Sequence, residues 1–246
     1  MLTNKQMENF AELAVRIGAN MQKGQEVVIR CDVNCADFAH LIAEKAYQFG
    51  AKRVLMQWRD EVLGRINMLN ASKETLCEVP DYQVAQAQYF IDHKCCLISI
   101  SAGNPNIYKG CDPDKIAAAN IASSKAMANF RKATMGNYLR WTIVSIPTPA
   151  WAAQVFPNEP TDVAVDKMWN AIGHIMRLDT DNPTEAWRKH IDTLHRRAKF
   201  LNDHNFEYIH MSNKEGTDLT VGLALDHVWL AAEEEGQDGL PFTANM

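Results

Sequence analysis

The stretch EVVIRCDVNCADFAHLIAEKAYQFGAKRVLMQW, residues 26–58, decides the fold of this chain. Residues 26–31 form a short run rich in β-branched side chains, which predicts a strand. An apolar stripe at helical spacing follows, and Gly50 stands where that helix would end. The stripe consists of Phe38, Leu41, Ile42 and Phe49. Residues 53–58 predict a second strand. Because strand, helix and strand in this order are typical of a βαβ unit, the two strands should lie parallel with a right-handed crossover.

Two later apolar runs extend the predicted sheet. Residues 95–101 (CCLISIS) and 140–146 (RWTIVSI) each have the length and composition of a strand. The continuous apolar character of residues 95–101 predicts a central strand that is covered on both faces. We therefore predict an α/β fold, in which a parallel sheet of four strands carries helices on both faces in three layers.

Capping signals precede several amphipathic segments. A polar N-cap residue, often with Gln or Glu three positions later, satisfies the free N–H groups of a helix start. Gly24 is predicted to end the first helix, and the helix after Asp112 is predicted to continue through Met135. The predicted caps are Thr3 with Gln6, Asn34, Asp112 before Pro113, and Asn182 with Glu185.

The last forty residues change in character. Residues 206–211 regain β composition, and residues 218–222 alternate polar and apolar side chains, which predicts a half-buried strand. Residues 227–230 form another short apolar run, and residues 233–239 predict a turn or loop. We predict an N-terminal α/β domain over residues 1–205. Residues 206–246 are predicted to be the first strands of a mainly β second domain that is incomplete.

Composition excludes some classes of function. The 246 residues are 47% hydrophobic and 22% charged, with a formal net charge of −5, which argues against a nucleic-acid or membrane partner. No apolar run has the length of a membrane-spanning helix, and the first residues lack the pattern of a signal peptide. None of the six cysteines shows CxxC spacing, so we expect free thiols and a cytoplasmic location.

The candidate binding residues follow the third predicted strand. Open parallel sheets bind ligands at the C-terminal ends of their strands. Neither GxGxxG nor GxxxxGK[ST] occurs in the sequence, so the nucleotide-binding fingerprints are missing. The residues that would line a crevice, if this segment is more than a turn, are Ser99, Ser101, Ala102, Gly103 and Asn104.

Few residues have the spacing of metal ligands. His190 and His195 are five positions apart on one predicted helix, whereas paired zinc ligands on a helix need about four. Asp179, Asp181 and Asn182 lack the Gly and Glu of a calcium loop, so we interpret them as helix-start residues. A fallback metal site within the chain, of low specificity, consists of His210, Asp226, His227 and Glu233.

The terminal segments GTDLTVGL and GLPFTANM, with a tryptophan run and an acidic Gly loop between them, carry a resemblance. Together with VVIRCD, FGAKRV and SISAGNP upstream, they resemble the aminopeptidase T, aminopeptidase S and PepS family of metallopeptidases over the whole chain. The resemblance implies two divalent ions (cobalt, zinc or magnesium), which polarise the scissile carbonyl and lower the pKa of a bridging water. It also implies that every metal ligand follows the position of Met246.

From this resemblance we expect the N-terminal portion of a longer, metal-dependent aminopeptidase that removes N-terminal residues from peptides. The chain by itself is expected to be truncated before its catalytic residues, inactive and without bound metal, and the whole enzyme to be a homodimer. Two alternatives stay open. One is a self-contained, doubly wound domain that binds a small molecule, and the other is a non-catalytic dimerisation scaffold.

Overall fold

The computed structural model describes residues 2–231 and 233–246. The α-helices are α1 (Asn4–Leu13), α2 (Ala36–Gln48), α3 (Glu61–Asn70), α4 (Lys73–Cys77), α5 (Asp81–Asp92), α6 (Pro113–Ala126), α7 (Ala128–Met135), α8 (Pro149–Val155), α9 (Thr161–Ile175) and α10 (Pro183–His204). The strands are β1 (Glu26–Asp32), β2 (Arg53–Arg59), β3 (Cys96–Ser101), β4 (Trp141–Ser145), β5 (Tyr208–Ser212), β6 (Asp218–Gly222), β7 (Glu234–Glu235) and β8 (Pro241–Phe242).

The first four strands form one parallel sheet in the order β2-β1-β3-β4. This confirms the predicted strands, their parallel direction and the central place of the third run. Each strand is within one residue of its predicted bounds at either end. The register sets Arg30 beside Gln57 on one side and beside Ser99 on the other, so polar residues align across the sheet near its C-terminal edge.

Helices cover both faces of the sheet, as the three-layer prediction requires. On one face α1, α2 and α10 bury Phe10, Phe38 and Ile191 against alternate residues of β1 and β3. On the other face α5 and α7 pack Phe90 and Ala133 against Val28 and Leu97. Because successive strand residues point to opposite faces, the continuous apolar runs supply both layers.

The helix starts follow the predicted caps with one exception. Thr3 and Gln6 form a capping box, and the side chains of Asp112 and Asn182 accept N–H groups in the first turns of α6 and α10. The prediction for Asn34 is wrong, since the carboxylate of Asp32 caps this turn by accepting the N–H of Asn34.

Two predicted helix ends are also wrong. The first helix widens into a π-helical turn over Ala14–Gly18 and stops before Gly24, because Asn20 adopts a left-handed φ of 43°. The helix predicted to continue through Met135 is two helices, which meet at Met127.

The C-terminal residues form two small antiparallel pairs, β5 with β6 and β7 with β8. The residues of β6 are all exposed, so the prediction of a half-buried strand is wrong. Residues 227–230 are not in a strand. The turn predicted within residues 233–239 is present between β7 and β8, and only Glu234 and Glu235 differ from the prediction, because they pair with β8. Beyond β8, Asn245 forms a parallel bridge with Ile143 of β4, and Phe242 is fully buried. The division into domains at residue 205 stays a prediction.

No helix within the described residues is both long and apolar enough to cross a membrane.

Candidate functional site

Charged side chains stand at the C-terminal ends of β1 and β2. The carboxylate of Asp32, at 8% exposure, accepts the N–H of Asn34 at 3.1 Å and the N–H of Glu61 at 2.9 Å. The Asp60 carboxylate accepts two N–H groups of the first turn of α3. These bonds connect the end of β1 to the start of α3 and fix the geometry of this edge of the sheet.

The loop after β3 packs against the same edge. The Oε2 atom of Glu61 accepts the N–H of Asn104 at 2.8 Å, and Arg65 donates to the carbonyl of Ile107 at 2.6 Å. A Cβ atom added at Gly103 would lie 3.3 Å from Glu61 Oε2, which is closer than most such contacts. Gly103 therefore permits the close approach of this loop to α3.

A cavity of about 530 Å³ lies between α3 and the loop, at the position where the sequence predicts a crevice. It is lined by Asp32, Asp60, Glu61, Ser101, Ala102, Gly103 and Asn104, among others. Ser99, the remaining candidate, faces a second cavity of about 700 Å³ on the same sheet. The carboxylates of the first cavity already accept backbone N–H groups, so their role in the structure is to hold its walls.

Sequence reasoning found the loop but missed Arg30, Asp32, Arg59 and Asp60. A signal for them exists, because two neighbouring apolar strands each end in an arginine followed closely by an aspartate (RCD and RD). Charged residues at the ends of adjacent parallel strands meet at one edge of the sheet. That pattern indicates a polar site more directly than the Ser and Gly residues of the loop.

The four residues of the fallback metal site lie in the C-terminal section. His210 Nε2 lies 2.6 Å from Asp218 Oδ1, across the β5–β6 pair. Asp226 is exposed in a turn, and His227 Nδ1 is 2.6 Å from the carbonyl oxygen of Ala224.

The last of the four, Glu233, lies beside α10, with its Oε2 atom 3.8 Å from His195 Nε2. Across residues 2–231 and 233–246, no three His, Cys, Asp or Glu side chains are placed to hold one metal ion. The fallback residues are thus distributed over separate contacts, and their role in metal binding stays a prediction.

The other histidines and acids make local contacts. The ring of His190 packs edge-on against Trp187, and burial together with Arg177 and Arg197 lowers the pKa of this histidine. The hydrogen bond from His174 lowers the pKa of Asp179. These contacts belong to helix packing and helix ends, as the sequence predicts for the two segments.

The six cysteines are free thiols. Burial raises the pKa of Cys31 and of Cys95 to about 11, and that of Cys96 to about 12. A thiol with so high a pKa is almost wholly protonated at neutral pH and is a poor nucleophile. Cys31, Cys95 and Cys96 are therefore small apolar side chains of the core.

Comparison with known proteins gives consistent results along the chain. The sequence profile of the thermophilic metalloprotease (M29) family matches residues 3–246. Aminopeptidase 2 of Geobacillus stearothermophilus is 36% identical over 242 residues, which are 98% of this chain and 58% of the relative. Aminopeptidase AmpS of Bacillus subtilis (strain 168) is 33% identical over 243 residues, 99% of this chain and 59% of the relative.

A solved structure, wild-type AmpT from Thermus thermophilus, superposes with a TM-score of 0.88 at 32% identity and covers 98% of this chain. The superposition includes 59% of that chain. The chain therefore spans about three fifths of the length of the relatives that it matches.

Proposed function

Because this chain belongs to the thermophilic metalloprotease (M29) family, we propose that it is the N-terminal part of a metal-dependent aminopeptidase that removes N-terminal residues from peptides. The observation that carries this proposal is the family match over residues 3–246. It is supported by relatives named as aminopeptidases at 33–36% identity along nearly the whole chain.

We further propose that the metal ligands come from the part of the relatives' length that this chain does not span. The described residues do not fit a two-metal centre, because none of their His, Cys, Asp and Glu side chains converge in threes. The carboxylates of Asp32 and Glu61, at the sheet edge, are engaged by backbone N–H groups. We therefore derive no catalytic step from residues of this chain. Two divalent ions, cobalt, zinc or magnesium, belong to the proposal for the whole enzyme.

In this proposal the chain supplies the scaffold on which the catalytic part is positioned. The substrates are peptides, the location is the cytoplasm, and the whole enzyme is a homodimer without nucleic-acid or membrane partners. The net charge of −5 supports the last point, because phosphate-rich partners favour basic surfaces.

The test compares two proteins. One is the 246-residue chain, and the other is a chimera in which it continues into the C-terminal part of Aminopeptidase 2 from Geobacillus stearothermophilus that it does not match. Cobalt, zinc or magnesium is added in turn, and cleavage of a leucyl chromogenic substrate is followed together with metal analysis. We expect turnover only in the chimera, with loss of that turnover on addition of a chelator.

Intact Aminopeptidase 2 serves as the positive control, and circular dichroism checks that both proteins are folded. Chelator-sensitive turnover by the 246-residue chain alone would contradict the proposed location of the ligands. His210→Ala and His227→Ala would then show whether the fallback residues hold the metal. A folded, metal-loaded chimera that cleaves no peptide would contradict the aminopeptidase proposal itself.

A further inference from the structure

The larger of the two cavities lies on the face of the sheet that α5 and α7 cover. Its volume is about 700 Å³. Strand register places Gln57, Arg30, Ser99 and Ile143 side by side across β2, β1, β3 and β4, and all four line the cavity. Register partners in a parallel sheet point to the same face. The row therefore forms the floor of the cavity, next to the C-terminal ends of the strands, where open α/β sheets bind ligands.

The charged side chains that line this cavity are all positive. They are Arg30, Arg59 and Arg131, and no Asp or Glu lines it within the described part of the chain. The Nε atom of Arg30 is buried and has no hydrogen-bond partner among the described residues. Burial and the charge of Arg59 lower the pKa of Arg30, which shows that the protein environment disfavours this cation.

Leaving a largely buried guanidinium unpaired raises the free energy of the folded state, because the hydration that it loses is not replaced by a counter-charge. The ring of Phe130 relieves part of that cost, with the Arg30 Cζ atom 5.5 Å from its centroid. A ring face cannot satisfy the N–H donors in the plane of the guanidinium. An oxyanion can, because a carboxylate or phosphate accepts two parallel N–H groups from one arginine.

The walls of the cavity suit an apolar or aromatic body attached to such an anion. They include Phe90, Phe130 and Trp141, which pack on this face of the sheet. The hydroxyl groups of Ser99 and Ser123 add neutral hydrogen-bonding groups. Mostly apolar walls with a few convergent polar groups are typical of small-molecule sites.

We propose that this cavity is a binding site for a small organic anion. Its carboxylate or phosphate is held by Arg30 and Arg59, and its apolar or aromatic body packs against Phe130 and Trp141. The proposal is independent of the aminopeptidase activity, because it rests on residues of this chain alone and needs no metal.

The test uses aromatic anions as probes with the ¹⁵N-labelled 246-residue chain at fixed ionic strength. Benzoate and phenyl phosphate carry the two oxyanions, and benzamide is a neutral molecule of the same shape as benzoate. Binding is followed by the shift of the indole N–H resonance of Trp141. We expect benzoate, phenyl phosphate or both to bind, and benzamide to bind at least about tenfold more weakly because it lacks the charge-assisted hydrogen bonds.

The two probes separate a carboxylate site from a phosphate site, and inorganic phosphate measures the contribution of the ring. Equal affinity for benzamide, or no saturable shift with any anion, would overturn the proposal.

Variants separate this site from general electrostatic attraction. Arg30→Gln is expected to lower the affinity for the tightest-binding probe by about tenfold or more, because a charge-assisted hydrogen bond is lost. Arg59→Gln is the second variant. Because Arg59 is exposed, this substitution should not disturb folding, and it tests the site if Arg30→Gln fails to fold. Arg188→Gln removes the same charge from the exposed face of α10 and should leave binding unchanged. If Arg188→Gln weakens binding as much as the cavity variants, the attraction is non-specific and the proposal is wrong.

Discussion

Glu26 is a carboxylate removed from solvent at the start of β1, with 4% of its surface exposed. The hydroxyl of Tyr89 donates to Oε2 at 2.8 Å, and Lys52 Nζ lies 3.1 Å from Oε1. Burial by itself raises the pKa of Glu26. The hydrogen bonds from Tyr89 and Lys52, with the charges of Lys52 and Arg53, outweigh that effect and lower the pKa. The ionised form therefore fits the folded state better than the unfolded one.

This shift predicts a pH dependence of stability at Glu26. Because the pKa is lower in the folded chain, the carboxylate stabilises the fold above its unfolded pKa. That contribution is lost as the pH falls through the folded pKa. We expect Glu26→Gln to lower the free energy of unfolding at neutral pH and to flatten its rise with pH below about pH 5.5. Urea unfolding at a series of pH values measures both effects.

The matched control for this variant is Glu44→Gln, which removes a carboxylate from the exposed side of α2. Its free energy of unfolding should rise with pH as steeply as that of the unchanged protein. A Glu26→Gln profile that runs parallel to the unchanged protein at every pH would contradict the argument.

At the scale of elements, the π-helical turn over Ala14–Gly18 receives the C-terminal segment. The carbonyl of Gly18 accepts the N–H of Thr243 at 2.8 Å, and Thr142 Oγ1 donates to the carbonyl of Thr243 at 2.8 Å. Ile143 donates to the carbonyl of Ala244 at 2.8 Å and accepts the N–H of Met246 at 3.1 Å. Residues 243–246 thus continue the main sheet beyond β4.

Gly18 allows this contact because it has no side chain. A Cβ atom there would lie 2.7 Å from Thr142 Oγ1 and 2.8 Å from Met246 Sδ. We expect Gly18→Ala to cost about 1–3 kcal/mol, the usual range for overpacking a core. Amide exchange of Thr243 and Met246 should also accelerate. Chemical unfolding and hydrogen exchange with mass spectrometry measure the two effects.

Gly222→Ala is the control for this variant, because an added Cβ there meets no atom within 4 Å. It should change the stability by only a few tenths of a kcal/mol. Unchanged exchange at Thr243 in Gly18→Ala would show that the C-terminal segment does not depend on the close approach at Gly18.

The same elements show which features of the fold can be predicted from the sequence. Thr3 with Gln6 and Asn182 with Glu185 are predictable because each cap joins residues three positions apart. The predicted end of the first helix at Gly24 is wrong because Asn20 already adopts the left-handed conformation, which asparagine tolerates better than most residues other than glycine. The contacts of Thr243 with Gly18 and Thr142 connect distant parts of the chain and leave no local pattern. For the same reason the sequence predicts only a strand position for Arg30, because its place in a cavity depends on α5 and α7, which are distant in the sequence.

At the scale of the whole molecule, the chain has one well-packed part and one exposed hairpin. The residues of β6 are exposed, whereas Phe242 and Ala244 anchor the final residues in the core. In the β5–β6 pair nearly every side chain is exposed, and among the residues that the structure describes the two strands pair only with each other. The exposed apolar side chains of this hairpin and the turn after it are Tyr208, Met211, Leu219, Val221 and Leu225.

An apolar, two-stranded hairpin of this kind is only marginally stable by itself and gains stability by packing or by adding a strand. We predict that amides of residues 208–222 exchange much faster than those of β1 and β3 in the 246-residue chain. They should become protected in the chimera with the C-terminal part of Aminopeptidase 2, because we expect that part to pack against the exposed apolar side chains of the hairpin. Dilution distinguishes this from pairing between two copies, since only intermolecular protection weakens as the protein concentration falls. If the hairpin of the 246-residue chain exchanges as slowly as β1 at every concentration, its own contacts suffice for stability. The prediction that the hairpin needs a further part of the enzyme for its stability would then be wrong.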